Sequence, residues 1–249
     1  MSLPHTVASI EARMGSSRFP GKVLMDVGGK PALTRLFDRL RSVALLDDIV
    51  LATTTSPGDD ALEAWARDEG VACYRGSEDD VLARVVEAQE SVGGELVVEV
   101  TGDCTLLPPD VVTLGIETFH ANHADVVSNC GRVQTFPMGA DVQMFPLALL
   151  VDVAATIDDP AVCENVSLHF YDNPDRYRIH NIVAPAVWRH PDWHLQLDYD
   201  EDLAFIRAVY AELEPIHGPV FGLPELMNLL HARPDLVALN IDCEEKAAR

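Results

Sequence analysis

Residues 6–10 form a short apolar run that reads as a buried strand. The chain passes from it directly into Ala12-Arg13-Met14-Gly15-Ser16-Ser17-Arg18-Phe19-Pro20-Gly21-Lys22, and an apolar segment of helical period follows at 32–43. Strand, glycine- and serine-rich basic loop, helix: this order constrains the fold strongly, because it is how an α/β protein cradles a polyphosphate. Backbone N–H groups and cationic side chains converge on the anion, and a helix N-terminus adds its dipole. The two common phosphate loops are absent. Lys22 is followed by Val23 and Lys30 by Pro31, so there is no GxxxxGK[ST], and GxGxxG does not occur. Charge also singles the stretch out. The chain carries 18 Lys+Arg against 40 Asp+Glu, yet residues 1–41 hold seven of those cations and three of those acids. A net charge of −22 disfavours nucleic acid and anionic membranes as partners. One basic island still attracts a small anion.

The alternation continues. Strands are expected at 48–53, 71–74, 96–101 and 125–129. Helices fall between them: one capped by Asp59 and stopped by Gly70, one following 75–84, and one from Pro108-Pro109 to about Asn122. Five strands separated by helices imply a mostly parallel, doubly wound α/β sheet. Ligands of such sheets sit beyond the C-terminal strand ends, where Arg13, Thr53, Arg75 and Asp103 fall. After Asn129 the rhythm breaks. A strand at 142–145, helical patterns at 146–155 and 164–171, and strands at 177–184 and 194–198 precede helices at 200–213 and 224–231. Residues 131–190 read as an insertion, a lid or dimerisation subdomain, within a single domain spanning 1–249. That length is ample for a core. No apolar run approaches the roughly 18 residues of a membrane span, and the N-terminus lacks a long apolar core. The five cysteines are scattered without CxxC and read as reduced thiols of a cytoplasmic protein.

Asp103 lies two residues past a central strand, with Gly102 freeing the backbone. It is placed either to hold Mg²⁺ against a phosphate or to cap the helix beyond. At this point the residues carry a resemblance. The stretch ARMGSSRFPGKVLMDVGGKPAL resembles the N-terminal signature of the cytidylyltransferases that activate acidic sugars. These are of the CMP-acylneuraminate and CMP-KDO synthetase type, and the likeness is greatest to the spore-coat polysaccharide and flagellin-modification branch. Every fixed position of the pattern A-R-x-G-S-x-R-x-P-G-K-x-L, then G-K-P, is met. Thr101-Gly102-Asp103-Cys104 is similar to the family's strand-end motif, although Thr105 stands where a proline is usual. Leu197-Asp198-Tyr199-Asp200-Glu201-Asp202-Leu203 is similar to its late motif, and Arg75-Gly76-Ser77-Glu78-Asp79-Asp80-Val81-Leu82 to the block that contacts the nucleoside.

The resemblance implies a Rossmann-like nucleotidyltransferase fold. It implies CTP and an acidic sugar as substrates, Mg²⁺ as cofactor, a homodimer, and CMP transfer with release of pyrophosphate in surface polysaccharide or flagellin glycan synthesis. Nucleotide contacts then fall to Ala12, Arg13, Met14, Gly15, Ser16, Ser17, Arg18, Lys22, Thr53, Arg75, Ser77, Arg84 and Asp103. Arg13, Lys22 and Asp103 serve catalysis, and Asp103 with Asp198 holds the metal. Asp202 is structural, near the start of the following helix. The acceptor side falls to Arg132, Gly139 and Asp141. There the chain departs from the branch: Met138 replaces an arginine and Asn165 a histidine. Two further readings stay open on these departures. One is transfer of another nucleotide or a glycosyl group on the same fold, and the other is a non-catalytic nucleotide-binding partner.

Overall fold

In the computed structural model, residues 3–243 are described. The first strand, β1 (Thr6–Glu11), lies in the interior of a seven-stranded sheet. Two short strands, β2 (Asp26–Val27) and β3 (Lys30–Pro31), form a small antiparallel pair before α1 (Ala32–Arg41). β4 (Asp48–Thr54), α2 (Asp60–Glu69), β5 (Ala72–Gly76), α3 (Val81–Ser91), β6 (Leu96–Thr101), α4 (Pro109–Ala121) and β7 (Val126–Ser128) follow. Then come β8 (Gln143–Pro146), α5 (Leu147–Thr156), α6 (Pro160–Glu164), α7 (Leu168–Asp172) and β9 (Ile179–Asn181). α8 (Asp200–His217), α9 (Leu223–Ala232) and α10 (Pro234–Val237) close the described chain.

The sheet order is β5-β4-β1-β6-β8-β7-β9. β1 pairs in parallel with β4 and β6, β4 with β5, and β7 with β9; β8 runs antiparallel to both neighbours. The expected doubly wound, mostly parallel architecture is therefore present. Central strands are apolar on both faces because helices cover both. Ala8, Ile10, Leu51, Val98 and Val100 pack with α1, α4, α8 and α9, while Val7, Val50, Val97 and Phe145 pack with α3, α5 and α7.

Three expectations change. The strand expected at 194–198 is not a sheet member: it makes one bridge, Met138 with His194, and Leu197 N–H donates to the Asp103 carbonyl at 3.0 Å. β6 is already flanked by β1 and β8, so this segment has no free edge to join. The helix expected at 164–171 is broken into α6 and α7. Asn165 closes α6, since its backbone N–H and its side chain both donate to the Ala161 carbonyl, at 3.0 and 2.9 Å, and the Ser167 hydroxyl is turned away to Gln143 at 2.8 Å. Third, part of the 131–190 segment is woven into the main sheet, since it supplies β8 and β9.

Candidate active site

The basic loop leaves β1 and is tied down from the neighbouring strand. Met14 N–H donates to Asp59 Oδ1 at 2.7 Å, and the Thr54 hydroxyl donates to the other oxygen of that carboxylate. Asp59 stands at the N-cap position of α2, but its side chain makes no cap bond there. The expected capping role is thus replaced by a clamp on the loop. Gly21 closes the loop at φ +76°, donating to the Met14 carbonyl at 2.9 Å. A left-handed residue at that point costs glycine little. It turns the chain so that Lys22 points inward.

Lys22 is only 7 % exposed. Its ammonium donates to Asp103 Oδ2 and to Asp198 Oδ1, each at 2.7 Å. Arg18 Nη2 donates to the same Asp198 oxygen at 2.8 Å, and the guanidinium lies 5.7 Å from the Tyr199 ring centroid. Burial would lower the Lys22 pKa, but the two carboxylates more than reverse this and hold it above the ordinary lysine value. Burial would likewise raise Asp103; the Lys22 charge and the Thr101 hydroxyl, at 2.5 Å, hold it below the ordinary range. Lys22 and Asp103 thus each favour the charged form.

Each carboxylate arrives by a separate device. Asp103 follows β6 at a place where Gly102 N–H donates to the Glu11 carbonyl at 2.8 Å. A Cβ on Gly102 would lie 2.8 Å from the Ala12 Cβ, so only glycine allows the two strand ends this close. Asp198 is set by the start of α8. Asp202 accepts from the backbone N–H groups of Asp198 and Tyr199 at 2.8 and 2.9 Å and from Asn240 at 2.8 Å. Asp202 is structural, as expected.

The remaining sequence-derived residues divide. Arg13 is on the exposed lip, 3.9 Å from Glu78. Gly15 and Ser17 are exposed on the loop, Ala12 is buried, and Ser16 accepts from Phe19 N–H at 3.3 Å. Thr53 is fully buried at the end of β4, with a hydroxyl that has no partner. Arg75 does not join the cluster. Its guanidinium is committed to the Thr54 and Ser56 carbonyls and to Asp60 and Glu63, all within 2.8 Å. Ser77 accepts from Asp80 N–H at 3.0 Å, and buried Arg84 donates to the Ser77 carbonyl.

Behind the cluster opens a cavity of about 610 Å³. Arg132 and Asp141 line it. Asp141 also accepts from Gly139 N–H at 2.9 Å and from Gln134 at 3.1 Å, which fixes this loop. Glu11 and Glu99 line the cavity too, and sequence reasoning passed over both. The available signal was an acid inside an otherwise apolar strand: Leu96-Val97-Val98-Glu99-Val100-Thr101. Among the described residues, no group of three or more His, Cys, Asp or Glu is arranged to hold a metal ion. The Asp103–Asp198 pair is a smaller donor set. Its hard carboxylate oxygens suit Mg²⁺, which keeps several waters and takes one or two carboxylates.

A mostly parallel α/β sheet with a clamped basic loop and two carboxylates at its C-terminal rim defines the chain as a nucleotidyltransferase. Comparison with known proteins makes this particular. The cytidylyltransferase family model matches residues 7–143, and the chain belongs to that family, a CTP-dependent nucleotidyltransferase. It is 33 % identical over 232 residues to the spore coat polysaccharide biosynthesis protein SpsF of Bacillus subtilis, covering 91 % of this chain and 94 % of that one. In fold it is similar to a cytidylyltransferase from Leptospira borgpetersenii, with a TM-score of 0.88 and 24 % identity over 98 % of this chain and all of that one. It is also similar to a CMP:2-keto-3-deoxy-manno-octonic acid synthetase solved with CTP. That match has a TM-score of 0.61 and 19 % identity, over 83 % of this chain and 98 % of the other. No helix among the described residues is long and apolar enough to cross a membrane.

Proposed function

We propose that the chain transfers CMP from CTP to a hydroxyl of an acidic sugar, releasing pyrophosphate, in the synthesis of a surface polysaccharide or flagellin glycan. The observation that carries this reading is the shared Lys22 ammonium, 2.7 Å from both Asp103 and Asp198, between the basic loop and the acceptor-sized cavity. The triphosphate lies along Ala12–Lys22, with Arg13, Arg18 and Lys22 answering its charge. The buried Arg18 Nη1, which has no partner, supports this, because an unpaired buried guanidinium donor is costly unless a ligand oxygen completes it. The acceptor hydroxyl forms a new bond to the α-phosphorus and gives up its proton to solvent, while the α–β bridging bond breaks and its electron pair leaves with the pyrophosphate. Catalysis is then positioning and neutralisation of charge by fixed groups. Asp103 and Asp198 would hold Mg²⁺, which when bound would supply further neutralisation of the phosphates. Arg132, which lines the cavity, is placed to receive an acceptor carboxylate. We also propose a cytoplasmic location, in keeping with five free thiols, and a homodimer formed through 131–190.

Thermal shift with CTP, UTP, GTP and ATP, with and without Mg²⁺, tests the nucleotide. CTP with Mg²⁺ is expected to raise Tm most, since a ligand at about 100 times its Kd adds about 2.7 kcal/mol. Lys22→Ala and Asp103→Asn are expected to lose most of the shift. Each should also lower the rate of pyrophosphate release by about 10²–10³, the scale of removing one preorganised electrostatic group. A larger shift with another nucleotide would overturn the base assignment.

A further inference from the structure

The cavity behind the cluster is acidic. Glu11, Glu99, Asp141, Glu164 and Asp172 line it against a single guanidinium, Arg132. An acidic wall is no ligand site in itself, and Asp141 is already spent on its own loop. Glu99 is different. It stands within β6, between β1 and β8, and is 6 % exposed. The Ser167 hydroxyl faces it, yet Glu99 Oε2 is buried without any hydrogen-bond partner. Glu11 Oε1, on the adjacent strand, is likewise buried and unpartnered. In the β1–β6 register Ser9 is opposite Glu99 and Glu11 opposite Thr101, so both acids rise from the same face of the sheet.

Among the described residues, no cation answers Glu99. Burial pushes its carboxyl up to about 8. Burial first, then the Glu99 charge, pushes Glu11 up as well; Arg84 opposes this in part, but its guanidinium is turned to the Ser77 carbonyl. Two orphan carboxyl oxygens on a cavity floor cost stability that a ligand donor would recover. An ammonium offers three donors and the missing counter-charge, a hydroxyl one donor, and a carboxylate none.

Resting on the cytidylyl transfer proposed above, we propose that the acceptor is an amino-substituted sugar acid whose ammonium is received by Glu99, with Glu11 beside it. Among the described residues that line the cavity, Arg132 is the cation placed to meet its carboxylate. Docking the ammonium draws the proton off Glu99 and yields a neutral ion pair.

The test is isothermal titration at pH 7 of protein saturated with α,β-methylene CTP. The probes are two matched trios: glucosaminic acid, N-acetylglucosaminic acid and gluconic acid; and glucosamine, N-acetylglucosamine and glucose. The amine of a trio is expected to bind at least about tenfold more tightly than its acetylated and hydroxyl analogues. Proton release is expected as a difference in heat between phosphate and Tris buffers. Glu99→Gln is expected to reduce the preference below about threefold, and Glu11→Gln to reduce it partly. The nucleotide titration itself reports that each variant is folded. Failure of the wild type to bind the CTP analogue would sink the nucleotide reading instead. Nucleotide binding with no preference for the amine, including no binding of any probe, overturns the present inference alone.

Discussion

At the scale of single residues, the site works by placing charge where solvent cannot relax it, and the two acids outside the ion cluster make the consequences measurable. Asp59 holds the loop through a backbone N–H and a neighbouring hydroxyl, so its substitution acts on loop geometry. Asp59→Ala is expected to cost about 1–3 kcal/mol in stability, the range for orphaning buried polar groups. Its larger expected effect is on KM for CTP, with kcat less affected. Steady-state pyrophosphate release separates the two, and a fall in kcat at constant KM would give Asp59 a different role. Glu99 sets a pH dependence of opposite sign to the usual carboxylate. Its folded pKa of about 8 lies above the ordinary 4.5, so the native chain holds a proton that the unfolded chain releases. Stability contributed by this group is complete below about pH 4.5 and is lost as pH rises toward 8, at about 1.4 kcal/mol per pH unit at most. Gln cannot ionise, so the Tm of Glu99→Gln is expected to gain on the wild type from pH 5.5 to 8.5 in ligand-free melts. A constant difference across that range would mean that Glu99 is ionised in the empty cavity.

At the scale of elements, the site depends on strand ends brought closer than side chains normally allow. Gly102 is the sharpest case. Gly102→Ala would set a Cβ 2.8 Å from the Ala12 Cβ and 3.0 Å from the Glu11 carbonyl, forcing β6 away from β1 just where Asp103 leaves the sheet. About 1–3 kcal/mol of destabilisation is expected, read by urea melts, together with loss of CTP-induced stabilisation. Retention of full CTP binding would mean that the Asp103 position tolerates the shift. The same elements explain what the sequence made legible. β1, β4, β6 and their helices were readable because strand, turn and helix signals agreed there, and Lys22, Asp103 and Asp198 stood in contiguous motifs. Arg75 was misleading because a motif carries no direction: its guanidinium faces α2, where Asp60 and Glu63 wait. The 194–198 segment looked like a strand because its alternation is real, but alternation does not say whether a sheet edge is free. Glu11 and Glu99 were hidden because burial of an acid is decided by helices that arrive much later in the chain, α7 among them.

At the scale of the whole molecule, the question is whether a chain of charge −22 associates with its copy. The 131–190 segment brings β9 to the outer edge of the sheet, a short strand with one side open to pairing. Val183 and Val187 lie just after it, 50 % and 65 % exposed. An open strand edge flanked by exposed apolar side chains is the kind of surface that a two-fold contact buries, which supports the proposed homodimer. Like charge on the two copies opposes that contact and is screened over about 8 Å at 0.15 M salt. Light scattering is therefore expected to give twice 27.2 kDa at 0.15 M salt and above, with the dimer weakening as salt is lowered. Val187→Asp adds one more negative charge to each face of the contact and removes apolar area, so it is expected to give the monomer mass at all salt concentrations while keeping the CTP-induced thermal shift. A wild type that scatters as 27.2 kDa throughout would exclude the dimer. A dimer that Val187→Asp leaves intact would move the interface away from the β9 edge.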